Sequence, residues 1–267
     1  MATLTLTNAL RLEYEDLFDT CIVRSQAARL IENIVDKLVD NKETYEAANE
    51  ASGVPWHFIA VIHNMEASLN FKTHLHNGDP LNARTVQVPK GRPKTGQPPF
   101  SWEESAADAL ALKGLDDTTD WSLAGTLYQL ERYNGFGYRL YHPEVLTPYL
   151  WSYSNHYTSG KYVADGRWSD TAVSKQIGGA VLLRRMAERR DIEFEDQPLA
   201  ENEKPLVVSF STRKSRDPEV VAHAEDLQRW LNTVPGIFVK VDGVPGERTS
   251  NAYRAVTGVY LPGDPRG

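Results

Sequence analysis

Apolar residues return at the interval of an α-helix along most of the first 190 positions of this chain, and that period decides what the chain can become. Leu30, Ile31, Ile34, Val35 and Leu38 mark a helix over about 24–40 that ends near Asp40-Asn41. A shorter helix over about 43–51 stops at Gly53, and Pro55 suits the first turn of the next one. Phe58, Ile59, Ile62 and Met65 stripe a core helix over about 55–67, with Glu66 at its C-terminal end. Ser101 and Glu104 form a capping box in front of SWEESAADALAL. Asp120 reads as the cap of DWSLAGTLYQLERY, and Asn134-Gly135 as its end. KYVADGRW places Asp165-Gly166 between strand-like flanks, a hairpin signal. Ser169 or Asp170 then opens a last long helix through about Arg190. The expected fold class is mainly α with one small β-hairpin.

Two stretches break the helical period. Residues 72–100 are rich in Pro, Gly and Asn, and a long irregular segment inside a compact domain is often functional. Residues 191–204, DIEFEDQPLAENEK, are acidic and aperiodic and read as a linker. The expected organisation is a domain over 1–190, the linker, and a small helical domain over 205–267. With 41% apolar and 24% charged residues, the chain can bury a sizeable core. No apolar run approaches the ~18–20 residues that span a bilayer, so no membrane insertion is expected. The N-terminus has neither a basic start nor an unbroken apolar stretch, which excludes a secretory signal as its reading. Cys21 is the only cysteine, so no internal disulfide is possible, and it reads as a small buried hydrophobe. The net charge of −7 argues against a general nucleic-acid binder. That charge is uneven: residues 204–267 carry 9 Lys and Arg against 7 Asp and Glu, and the remainder carries 20 against 29.

Glu66 carries the clearest chemistry. Partial burial and the negative end of the helix dipole both disfavour an ionised carboxylate there, so a raised pKa is expected. Cleavage of a glycosidic bond needs a carboxyl group still protonated near neutrality. The plain alternative is a Glu on the exposed edge of the helix. The run Glu66-Ala67-Ser68-Leu69-Asn70-Phe71 resembles the catalytic motif of goose-type lysozymes and soluble lytic transglycosylases. LERYNGFGYR, with Tyr133, Asn134 and Gly135, resembles a second motif of that superfamily, 68 residues beyond Glu66. The resemblance covers about 43–140 and implies a lysozyme-like helical domain. It makes Glu66 the general acid, has Ser68 orient Glu66 or the substrate, and lines a sugar subsite with Tyr133 and Asn134. The Gly-Leu-Met-Gln that usually follows the acid is absent. Thr85-Val86-Gln87-Val88 stands roughly in its place, with Gln87 in the Gln role.

A second carboxylate would decide the reaction, because a hydrolase needs a base or nucleophile while a transglycosylase manages with one acid. Asp79 lies 13 residues after Glu66 in the HNGDP loop, an offset that resembles a water-positioning Asp of goose-type lysozymes. Its plain reading is a turn residue before Pro80. Glu131, on the YQLERYNG helix, is the reserve, for the second carboxylate or for the cleft, against a surface helix pair. His57, His63, His74 and His76 show none of the i, i+4 spacing of a helix-borne zinc pair, so no metal and no cofactor is expected. One of these histidines, His74 by preference, is placed against sugar hydroxyls. Most of the many aromatic residues belong to the core, and some are available to stack on pyranose faces.

In the C-terminal part, Leu227, Gln228, Leu231, Val241, Asp242, Gly243, Gly246, Thr249 and Ala252 follow a pattern that resembles the peptidoglycan-binding domain of many wall hydrolases. The plain reading is a small helical subdomain without a ligand. Such a module would raise enzyme concentration on an insoluble wall. Together the resemblances imply a monomeric hydrolase that cuts peptidoglycan glycan strands as a muramidase, made in the cytoplasm without a signal peptide and reaching the wall on lysis, as a phage endolysin does. A lytic transglycosylase, a non-catalytic wall-binding protein and a chitinase-like enzyme are the alternatives.

Overall fold

The computed structural model describes residues 4–164, 166–194, 207–232, 234 and 237–267, without the side chain of Asn8. It is mainly helical, with 47% of residues in helices and one two-stranded antiparallel sheet. The helices are α1 (Asn8–Asp19), α2 (Ala28–Asp40), α3 (Lys42–Ser52), α4 (Trp56–Ala67), α5 (Trp102–Leu112), α6 (Leu123–Asn134), α7 (Gly137–Tyr141), α8 (Pro148–Trp151), α9 (Gly179–Glu188), α10 (Pro218–Leu231) and α11 (Glu247–Thr257). The hairpin pairs β1 (Lys161–Ala164) with β2 (Arg167–Ser169). The chain divides into two compact units, Met1–Arg11 with Cys21–Arg185, and Leu12–Thr20 with Met186–Gly267. Most of the expected linker lies outside the described residues.

The first unit is organised on α4. His57 through His63 and Met65 are all buried, so this helix is covered on every side rather than along one stripe. Each fully buried Phe58, Ile59 or Ile62 contributes about 1.5–3 kcal/mol of transfer free energy. α3 packs on α4 and α5, and α6 packs on α4 and α8. The local signals explain most boundaries. Gly53 ends α3 at φ +73, and both halves of the Ser101–Glu104 capping box form.

Three boundaries differ from the sequence reading. α1 was not expected, because its apolar positions are too sparse to stand out. α6 is capped by Ser122, whose hydroxyl accepts the Gly125 amide, while Asp120 accepts the Ser122 amide and pairs with Arg11. α9 begins at Gly179 rather than near Ser169, and 170–178 is an irregular connection. Gly178 stands at that boundary. A Cβ on Gly178 would stand 2.1 Å from the Leu150 carbonyl oxygen, so the two backbones touch there. The hairpin forms as expected, with Gly166 at φ +65, although Asp165 lies outside the described residues.

The second unit has its own core of Val208, Ala224, Leu227, Leu231, Val239, Ala252, Tyr253 and Leu261. Asp217 caps α10 and Pro218 occupies its first turn. Tyr14 and Phe18, from the Leu12–Thr20 segment, are fully buried, and Phe18 meets Phe194 and Phe238 edge to face.

Candidate active site

Glu66 is the penultimate residue of α4. It is exposed, not half-buried as its neighbours in sequence suggested. One oxygen is held nonetheless: the Tyr149 hydroxyl donates to Glu66 Oε1 at 2.8 Å. Tyr149 is itself buried, on the short α8 that Thr147 caps and Pro148 starts. Burial, then the nearby Glu66 charge, raises the Tyr149 phenol far above its ordinary range. Tyr133 on α6 is raised for the same reasons in the same order. Both phenols therefore stay protonated donors around Glu66 near neutral pH. Among the described residues no second hydrogen bond reaches the Glu66 carboxyl, which leaves Oε2 for a proton or a ligand.

The backbone after Glu66 is unusual. Ser68 and Leu69 are consecutive non-glycine residues in the left-handed region, at φ 49° and 60°. Such conformations cost on the order of 1 kcal/mol each and collect at functional sites. They turn the chain sharply off the helix end. Gln176 secures that end by donating from Nε2 to the Met65 carbonyl at 2.6 Å.

Tyr149 and Gln176 also line a cleft of about 630 Å³, so Glu66 stands at its edge. One wall is the end of α6 and the start of α7, with Asn134, Gly135, Tyr138 and Tyr141. The other is the hairpin, with Lys161, Tyr162, Val163 and Ala164. Tyr138, Tyr162 and Trp168 pack edge to face, and the His142 ring stacks on Trp168 at 3.5 Å, which fixes the hairpin against α7. Asn134 is exposed and also faces a second cleft of about 500 Å³, lined by Tyr133, Gln129, Leu115 and Phe136 among others. Lys113 Nζ lies 4.5 Å above the Tyr133 ring. Tyr133 is close enough to Glu66 to feel its charge, and Asn134 lines both clefts. Ser68 is exposed beside it.

The other expected residues lie elsewhere in their bonding. Asp79 is 6% exposed, and its Oδ2 accepts the amides of Val86 and Gln87 and the Asn77 side chain. The Gln87 side chain donates to its Oδ1 at 3.2 Å. These donors, the two amides foremost, hold the Asp79 carboxyl below the ordinary range against the opposing effect of burial. Asp79 and Gln87 are brought together, but as the hub of their own loop. His74 is 0% exposed with both ring nitrogens engaged, Nε2 donating to the Ala83 carbonyl and Nδ1 bonded to Ser105. It therefore has no atom left for a sugar. Glu131 is 1% exposed and paired with Arg139 at 2.9 Å, so it does not face the cleft.

The 72–100 segment is irregular, as expected, yet well anchored. Asp108 on α5 accepts from His76 and Arg92, and Ser105, three residues earlier on the same helix, meets His74. Sequence reasoning missed Tyr149 and Gln176. A Thr-Pro cap signal at 147–148 marks a helix start, but nothing local points from there to Glu66.

In the second unit the motif residues bond to one another. Gln228 is fully buried, donates to Asp242, the Val244 carbonyl and Thr249, and accepts the amides of Asp242 and Gly243. Gly243 sits at φ +72 with Val221 2.7 Å from where a Cβ would be. The pattern is a structural hub. Beside it lies a cleft of about 550 Å³ that includes Glu15, Lys240, Arg248 and Asn251.

Among the described residues no group of three or more His, Cys, Asp or Glu could hold a metal ion, and no helix is long and apolar enough to cross a membrane. Searches against protein-family models, curated proteins and solved structures find no match to this chain.

Proposed function

We propose that this protein cleaves the glycan strands of peptidoglycan, with Glu66 protonating the departing glycosidic oxygen in a lysozyme-like helical domain. The observation that carries the reading is the contact between the Tyr149 hydroxyl and Glu66 Oε1 at the edge of an aromatic-walled cleft. A carboxyl group oriented by a buried donor on one oxygen presents the other for proton transfer at a defined angle. Tyr133, Asn134 and the hairpin bind the sugar chain, and the second unit retains the enzyme on the insoluble wall.

Hydrolysis by a muramidase is the first reading, with Asp79 positioning water through Oδ1. A second reading, a lytic transglycosylase, is favoured by one observation. Asp79 has three donors on Oδ2 and one on Oδ1, and Glu131 is buried against Arg139. Neither is an unoccupied base, and intramolecular attack by the sugar's own hydroxyl needs none. Mass spectrometry of digested peptidoglycan separates them: products gaining water support the muramidase, and 1,6-anhydro ends throughout support the transglycosylase. Glu66→Gln should abolish the clearing of a cell-wall suspension. A wild-type protein that binds walls without cutting them would replace both with a purely adhesive role.

A further inference from the structure

The cleft beside Glu66 is walled by neutral groups with one exception. Among the described residues that line it, Lys161 at the start of β1 bears the only formal charge. Lys161 is half-buried, and among the described residues it has no carboxylate partner within ion-pair distance. Three other cations of the first unit are already engaged. Arg139 is spent on Glu131, Arg92 on Asp108, and Lys113 lies over the Tyr133 ring. A long, flexible ammonium chain loses solvation in such a recess, so an unpaired one is most stable when a ligand supplies the opposite charge. Its position is also fixed. Lys161 pairs with Ser169 across the hairpin, and its neighbour Tyr162 is packed by Tyr138 and Trp168, so the strand that carries it cannot swing away without breaking that cluster.

We infer that Lys161 is a carboxylate-recognition residue of this cleft, selecting glycans that bear an acidic substituent over neutral ones. The inference rests on the glycan-cleaving reading above and deepens it by naming what the bound sugar must carry. Two sources share that chemistry on a peptidoglycan strand: the lactyl ether carboxylate of an unsubstituted muramic acid, and the carboxylates of a stem peptide, whose attachment consumes the lactyl one. The electrostatic contribution is local. The remaining lining groups, Tyr138, Tyr141, Tyr149, Asn134 and Gln176, bind sugar faces and hydroxyls whether or not a charge is present.

The test uses the Glu66→Gln chain, which holds substrate without turning it over, and titration calorimetry with three probes of matched sugar length. One carries free lactyl carboxylates, one carries stem peptides, and one is a neutral chitin oligomer. Adding Lys161→Ala should weaken one or both acidic probes about tenfold, the usual worth of a hydrogen bond to a charged group, and leave the neutral oligomer unchanged. Lys161→Arg should retain most of the acidic-probe affinity. Loss confined to the free-lactyl probe assigns the lactyl source, and loss confined to the peptide probe assigns the stem. Equal weakening of all three probes, or binding of the acidic probes no better than the neutral one before Lys161 is changed, overturns the inference. Cleavage is read separately on the wild-type chain. Selective binding in a protein that clears no walls would sink the catalytic reading and leave the Lys161 assignment standing.

Discussion

Tyr149 holds Glu66 by a phenol that burial keeps protonated, and that pairing is the residue-scale fact with the most direct consequence. Tyr149→Phe deletes the donor and little else, because the ring still fills its buried site. The expected outcome is a fall in kcat of about tenfold with KM nearly constant, the signature of a group poorly aimed in the transition state. Initial rates on a wall suspension across substrate concentration would check this, and an unchanged kcat would remove Tyr149 from the positioning role. The place of Glu66 near the end of α4 was legible in the sequence because the apolar stripe before it marks a helix. Tyr149 was not, because it lies 83 positions away on a helix of four residues, too short to carry a period. His74 and Glu131 misled for the opposite reason. Polar residues beside a motif resemble ligand contacts, and only the folded chain reveals that Ser105, Ala83 and Arg139 already use them.

At the scale of the element, α4 carries both Glu66 and a liability toward acid. His57 and His63 are buried on it, and burial pushes each ring down to about 4 from an ordinary 6.5, with the Asn70 backbone opposing the shift at His63. Between those values the unfolded chain takes up protons that the folded chain refuses. Stability is therefore full above about pH 6.5 and declines as pH falls toward 4, by up to roughly 3 kcal/mol per ring. Asp79 and Asp264, whose carboxyls are held below their ordinary range, add nothing in that window, since they protonate only at lower pH. Urea midpoints from pH 7 to 4.5 should fall, and less steeply in His63→Gln; a flat profile would contradict the assignment. His63 packs against Tyr45, Phe71 and Trp102, so its protonation would strain the helix end that presents Glu66. The α9 boundary gives a second test. Gly178→Ala forces a methyl into the Leu150 carbonyl, and a loss of about 3 kcal/mol or more in thermal or urea unfolding is expected. The helical period made the elements readable, while the close approach of Gly178 to Leu150 was hidden because a backbone contact leaves no pattern in one sequence.

At the scale of the molecule, each unit is held by its own interior. In the second unit the Gln228 side chain has five polar partners within hydrogen-bond distance. Gln228→Ala strands several of those partners and should cost about 3–5 kcal/mol, abolishing a folded C-terminal unit while the same change at exposed Gln176 does not. Circular dichroism and urea unfolding of the two variants would distinguish them. The C-terminal residues belong to this interior too: Leu261 is buried, and Asp264 joins Ser250 to Arg266. The stripe of Leu227, Trp230 and Leu231 made α10 legible. The unit's borrowing of Leu12–Thr20 was not, since no sequence pattern links residues some 200 positions apart.

That borrowing bears on the order in which the protein is made. Cys21–Arg185 has nearly all its partners as soon as it leaves the ribosome, so the first unit can close during synthesis. Phe18 emerges earlier still, yet Phe194 and Phe238, the rings that pack on it, follow the whole of that unit. Its burial therefore waits until the first unit has been made, and through that interval the ring stays open to other contacts.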